Sequence, residues 1–455
     1  MPPTEPDHHD RSAAAGHDRR RNVFVLGLDE VRLRELEALE RAGEYCFHEL
    51  CSTAEVKAFD PGVVERTLAS ARSLLADFDG PIDAIIGYWD FPVSTMLPIL
   101  RREHGLRTPS LESVLRCEHK YWSRLEQRRC IPSQVPDFCA VDPFDDDVAA
   151  QITVDHPFWL KPVRSLKSYL GFRIDGPDDL TRALERIRSG IDTIAVPFDQ
   201  LLAYADLPEE IEGIDGRHCI AESIISAGQQ CTLEGYAHGG GVVIYGAVDS
   251  VREGRHRSSF SRYQYPSMLP EPVLERMSDA ATTFISHVGY TESPFNIEFF
   301  WEEATDEIRM LEANARLSKS HAPLFEHVDG DYHHQVMIDV ALGERPDPPH
   351  RRGRHRLAAK FMWRTYDDAV VRHVPTGDEL DDLRRRFPDA DIEFDVRTGD
   401  RLADLPSQDS YSYEIATVFV GGDDEEELLR RYESIRAATH LDLEPVPDGR
   451  TAAPR

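Results

Sequence analysis

Lysine is almost missing from this chain: six lysines stand against 46 arginines in 455 residues. Positive charge is scarce altogether, with Lys and Arg at 52, Asp and Glu at 82, and a formal net charge of -30. A surface of that average sign repels polyanions, so no nucleic acid is expected as a partner. The seven cysteines, at 46, 51, 117, 130, 139, 219 and 231, contain no CxxC and no Cys/His pair at zinc spacing. Neither a disulfide framework nor a structural zinc site is read from them, which suits a reducing, cytoplasmic setting. No uninterrupted apolar run reaches membrane-spanning length, so no membrane association is expected. The dinucleotide fingerprint GxGxxG is missing too, because Gly27 stands alone after the first apolar run.

What is present reads as globular, with 41% hydrophobic residues and regular punctuation by glycine and proline. Residues 1–21 are charged and read as a disordered tail, with His8, His9 and His17 solvated. NVFVLGLDE followed by VRLRELEALERAG predicts a first β-α unit, and IDAIIGYWD at 82–90 a further strand, so 22–112 reads as a small α/β domain. From Ser113 the texture changes to a helical stretch ending at Ile131-Pro132, followed by strands such as HPFWLKPV, HCIAESII and VVIYGAVDS. The triplet Gly239, Gly240 and Gly241 reads as a hairpin turn. Pro346, Pro348 and Pro349 mark a linker, beyond which three strands and a helix predict an α+β appendage over 346–455.

The informative stretches are FNIEFFWEE at 295–303 and RMLEANARLSKSH at 309–321. Side chains alternate along a strand, so Asn296 and Glu298 share one face while Ile297 and Phe299 share the other. Glu312 and Asn314 likewise share a face, and the seven residues WEEATDE at 301–307 suit a connection between antiparallel neighbours. Two carboxylates and an amide thus converge on one patch of sheet. Like charges so close are costly to desolvate, and a hard divalent cation with oxygen ligands relieves both problems.

Glu298 followed by LEANAR, with Glu312, Asn314 and Arg316, resembles the metal-binding signature of the ATP-grasp superfamily, as in biotin carboxylase and D-alanine:D-alanine ligase. The resemblance extends in order over roughly 113–343. It implies ATP with Mg2+ (or Mn2+), the cation held by Glu298, Glu312 and Asn314. CEHKYWSR resembles the helix whose lysine, here Lys120, reaches the phosphates. FWLKPVRSLKSYLGF resembles the strand and loop that supply Lys161 and, in place of glycine amides, Ser165, Lys167 and Ser168. CIAESIISAGQQCTLEG resembles the interlobe strand that holds adenine through Glu222, Ser223 and Ile225, with the ribose left to Gln230 or Glu234. Arg316 would reach the substrate carboxylate or the moving phosphoryl group, Lys319 would assist catalysis, and Arg262 and His321 would face the substrate.

The implied architecture is α/β and α+β multidomain: an ATP-grasp fold with a small lobe at 113–235 and a large lobe at 236–345, an N-terminal Rossmann-like domain and a C-terminal α+β cap. The implied activity is a ligase that converts a carboxylate to an acyl phosphate for attack by an amine-type nucleophile, with small-molecule partners and a homodimer as the default assembly. A biotin-carboxylase-like enzyme is the alternative within the superfamily, although Ser320 occupies the position of its general-base glutamate. A nucleotide-binding regulatory protein without turnover is the alternative outside it.

Overall fold

A computed structural model describes residues 20–446 except 59, 166–168, 226–227, 254–258 and 406–411. The run RNVFVLGL forms β1 (Arg21–Leu28), which pairs in parallel with β2 (Tyr45–Ser52) on one side and β3 (Ala84–Ile86) on the other. Helices cover both faces of such a layer, so its central strand can be apolar throughout. Val23 and Val25 pack into one cluster and Phe24 and Leu26 into another. β3 ends at Ile86, so the apolar run at 82–90 is only partly strand, and Trp89 and Asp90 emerge beyond its carboxyl end.

A second sheet has the order β4-β7-β5-β6, from β4 (Phe138–Val141), β5 (Phe158–Pro162), β6 (Phe172–Ile174) and β7 (Cys219–Ser223). The helix Pro177–Gly190 buries Ala183, Leu184 and Ile187 against it.

The third sheet has eight strands. Its first half comprises β12 (Glu307–Asn314), β11 (Ser293–Glu302), β8 (Gln229–His238), β9 (Gly241–Glu253) and β10 (Ser259–Tyr265) in that spatial order. One face carries Leu233, Ile297, Phe299 and Met310 against the helix Glu271–His287. β8 and β9 are joined by Gly239 and Gly240 with φ of +57° and +81°, a two-residue turn that demands positive φ at both positions. β11 and β12 remain paired as far as Glu302 and Glu307, so their connection is 303–306 and not the seven residues expected. Trp301, near the end of the ladder, is buried in the core and donates its ring nitrogen to Asp306 at 2.9 Å.

In the C-terminal segment, read from the sequence as an α+β appendage, three strands extend the large sheet. β13 (Leu357–Thr365) pairs with the open edge of β10, β16 (Tyr413–Gly422) pairs with β13, and β15 (Ala390–Phe394) closes the row. An unpaired edge on β10 would leave a row of unsatisfied backbone groups, and β13 satisfies them. Only β14 (Ala369–His373) and β17 (Asp442–Pro445) stand apart, as a two-stranded ribbon. Among the described residues, no helix is long and apolar enough to cross a membrane.

Candidate functional site

The β11–β12 register sets Asn296 opposite Asn314 and Glu298 opposite Glu312. A bulge after Glu298 keeps these four polar residues on one face while Phe299 and Met310 return to the core. Burial pushes the Glu298 carboxyl up to about 7, and Glu312 adds to the shift. Gln230 donates to Glu298 at 2.6 Å. Burial also opposes ionisation of Glu312, but Lys120 and Lys161 outweigh it and hold that carboxyl below the usual range. The Lys120 ammonium lies 3.5 Å from Glu312. Asn314 donates its amide nitrogen to Asn296 at 3.0 Å, which leaves its amide oxygen as an acceptor.

Facing this patch is a narrow cleft, lined by Lys120, Lys161 and Glu222 from one side and Glu312 and Asn314 from the other. Lys120 opens the helix Lys120–Cys130, capped by the His119 side chain, and Lys161 projects from β5. Burial draws the Lys120 ammonium below its usual range. Lys161 donates to Glu222, which also accepts from Arg124 at 3.0 Å. Burial works against the Glu222 charge, yet Arg124 and Lys161 bring the carboxyl down to about 2. Arg124 further donates to the carbonyls of Met310 and Leu311 at 2.8 Å each, tying the helix to the bulged strand.

Arg316 does not point at an empty cleft. It donates to Asp90 of the N-terminal layer at 2.7 Å, and Asp90 also accepts from Arg164 at 2.5 Å. Burial disfavours the Asp90 charge, but Arg316 and Arg164 hold its carboxyl far below the carboxylate range. Lys319 is half-buried with its ammonium 4.1 Å from the centre of the Trp89 ring. Burial, then Arg32 and Lys57, push the Lys319 ammonium down to about 7.

Several sequence expectations are corrected here. Glu234 is fully enclosed: it accepts the Ser318 amide, and His321 Nδ1 lies 2.8 Å from its carboxylate. A carboxylate so committed braces the loop after Arg316 and has no oxygen for a ribose, and His321, itself buried, is part of that brace and not a substrate contact. Arg262 pairs with Phe361 in the β10–β13 ladder, on the face opposite Glu298, and forms an ion pair with Glu425 at 2.6 Å. Alternation along β10 puts Tyr263 on the cleft side instead, which removes Arg262 from the site. Gln230 donates to Glu298 and accepts from Arg252 at 2.7 Å, so both ends of its amide are engaged. Ser223 spends its amide on the Asp137 carbonyl at 2.9 Å, and Ile225 lies half-buried just past β7. Ser168 lies outside the described residues.

The structure also brings Asp90, Arg124 and Arg164 beside the sequence-predicted residues, and the sequence reading did not single them out. Arg124 had a signal, since it follows Lys120 by four residues and so shares its helix face. Asp90 had a fainter one, a carboxylate just past a parallel strand, where open α/β layers bind ligands.

Residues 238–347 match the family described as "Carbamoyl-phosphate synthase L chain, ATP binding domain". No curated protein matches the chain in sequence. An L-amino acid ligase from Bacillus licheniformis superposes with a TM-score of 0.68 at 15% identity, covering 93% of this chain and 99% of that one. Biotin carboxylase from Campylobacter jejuni gives 0.63 at 15% identity over 93% and 92% of the two chains. N5-carboxyaminoimidazole synthase from Aspergillus clavatus gives 0.61 at 13% identity over 92% and 98%. The fold of this chain is the ATP-grasp fold.

Proposed function

We propose that the chain is an ATP- and Mg2+-dependent ligase that activates a small carboxylate as an acyl phosphate for attack by an amine-type nucleophile. The observation that carries this reading is the cleft in which Lys120 and Lys161 face Glu312 and Asn314, with Glu298 alongside. Those side chains fit a hard cation. Glu298 and Glu312 face each other across one ladder, Glu298 is ionised only at a cost, and the free oxygen of Asn314 adds a third ligand of the right hardness. When bound, Mg2+ or Mn2+ would neutralise the phosphates and the charge of the moving phosphoryl group.

Lys120 and Lys161 are compact point charges suited to a polyphosphate. Each rests on a carboxylate here, Glu312 and Glu222 respectively, so both are already positioned and desolvated before a nucleotide arrives. Glu222 and Ser223 at the end of β7, with Ile225 just past it, would border the base. The planar donor fork of Arg316 matches a carboxylate, as its grip on Asp90 illustrates, and would hold the acid undergoing activation. Lys319, close to neutrality, suits the removal of a proton from the attacking ammonium group. In this assignment 22–112 is the N-terminal domain, 113–235 and 236–345 are the two lobes around the cleft, and 346–455 is the cap.

The kinship in fold with an L-amino acid ligase supports testing amino acids first. A panel of amino acids and small carboxylates with Mg2+-ATP is scored by ADP release, and the products are weighed. ADP release that needs one acid and one amine, with product mass equal to their sum less water, is the expected result. Release driven by bicarbonate and free biotin would point to a carboxylase instead. ATP binding with no release from any pair would favour a regulatory protein.

A further inference from the structure

Away from the cleft, three side chains of the C-terminal segment meet. His373 ends β14, Glu379 lies in the first turn of the helix Asp378–Arg386, and His440 stands between the helix Glu425–Ala438 and β17. One nitrogen or oxygen from each lies within 4.8 Å of the other two. His373 Nε2 is 2.9 Å from one Glu379 oxygen, and His440 Nδ1 is 3.4 Å from the other. The two imidazole rings are 4.8 Å apart between centroids. We propose that His373, Glu379 and His440 form a binding site for a transition-metal dication of the zinc class, independent of the nucleotide cleft and of any ligase activity.

The donor set makes the choice of metal. Mg2+ and Ca2+ take oxygen ligands, whereas two imidazoles with one carboxylate suit Zn2+ and its neighbours in the first transition row. In a tetrahedral zinc site with bonds of about 2.1 Å, donor atoms stand about 3.4 Å apart. His373 Nε2 and His440 Nδ1 lie 3.2 and 3.4 Å from the same Glu379 oxygen, which matches that scale, and the remaining pair closes by rotation of His440, whose side chain is 75% exposed. The Thr376 amide donates to Glu379 at 3.3 Å, orienting the carboxylate as an outer hydrogen bond orients a ligand. Asp442 stands opposite His373 in the β14–β17 ladder, and its carboxylate or a water would complete the fourth position.

The site also has a structural task. β14 and β17 form a two-stranded ribbon outside the large sheet, and a ribbon of that size is marginal in water. A metal joining the end of β14, the entry to β17 and the intervening helix would clamp all three.

The test is calorimetric titration of the whole protein with Zn2+ in an excess of Mg2+ and without nucleotide, repeated with His440→Ala. Co2+ absorption reports the ligand geometry. Wild type should take up one Zn2+ per chain, give the intense visible bands of tetrahedral Co2+, and melt at higher temperature with zinc than with a chelator. His440→Ala should lose all three responses while its melting without metal stays unchanged, since His440 is exposed and opens no cavity. Absence of zinc uptake by wild type overturns the proposal. So does uptake that is undiminished in His440→Ala, which would assign the metal to other groups such as His8, His9 and His17.

Discussion

At the scale of single residues, Glu312 separates function from folding. Its side chain keeps 36% of its surface exposed and lies on a polar patch, so removing it opens no apolar cavity. Glu312→Ala should abolish ADP release while the melting temperature shifts little, read by a coupled assay and a thermal scan on the same preparation. Lys319 supplies a pH signature. Its ammonium is pushed down to about 7, so it becomes a competent base as pH rises through 7. The turnover rate should rise across that window in wild type, and Lys319→Met should remove the rise. Glu234 gives the corresponding signature in stability. Burial raises its carboxyl from 4.5 to about 7, with His333 and the Ser318 amide opposing. A raised acid contributes stability below its unfolded value, and that contribution is lost as pH climbs from 4.5 to 7, about 3 kcal/mol at most. Chemical denaturation at several pH values should show this loss in wild type and a flatter profile in Glu234→Gln.

At the scale of elements, the paired strands β11 and β12 were legible because period-two alternation settles which residues share a face before any partner is known. The bulge after Glu298 was not legible, nor was the shortness of the connection at 303–306, since alternation along a strand says nothing of where a ladder slips or how far it continues. Gly228 shows a similar tertiary demand. It precedes β8 with φ of +87°, and a Cβ there would meet the Trp301 carbonyl at 2.1 Å. Gly228→Ala should cost about 1–3 kcal/mol through the strained backbone alone, and more as β8 shifts against β11. Gly43→Ala is the control, because nothing lies within 4 Å of its added carbon. Urea unfolding of the two variants should separate them clearly.

At the scale of the whole molecule, Asp90 joins three parts of the chain. It belongs to the N-terminal layer, Arg164 follows β5 of the four-stranded sheet, and Arg316 follows β12 of the eight-stranded sheet. Removing a partner from a buried ion pair costs about 3–5 kcal/mol. The Asp90 side chain is 31% exposed and Arg164 keeps Glu118 at 3.2 Å, so solvent and the second acid soften the loss. Asp90→Ala should therefore destabilise the protein by about 1–3 kcal/mol in urea unfolding. It should also lower kcat/KM, because Arg316 loses the group that aims it. Recovery of stability at high salt would argue against this assignment, since buried pairs are little screened.

The amino-acid sequence alone determined which carboxylates and amides share a strand face, the order of Lys120, Lys161, Glu222, Glu298, Glu312, Asn314 and Arg316, and through that order the ATP-grasp architecture. These follow from local periodicity and chain order, which need no knowledge of distant neighbours. Only the tertiary structure decided that Arg262 lies on the reverse face, that Glu234 and His321 brace a loop, that the C-terminal strands extend the large sheet, and that Asp90 meets Arg316 across 226 residues. Each of these depends on which strand edges pair and which charges are left to neutralise once the layers have packed, and residues remote in the chain settle that together.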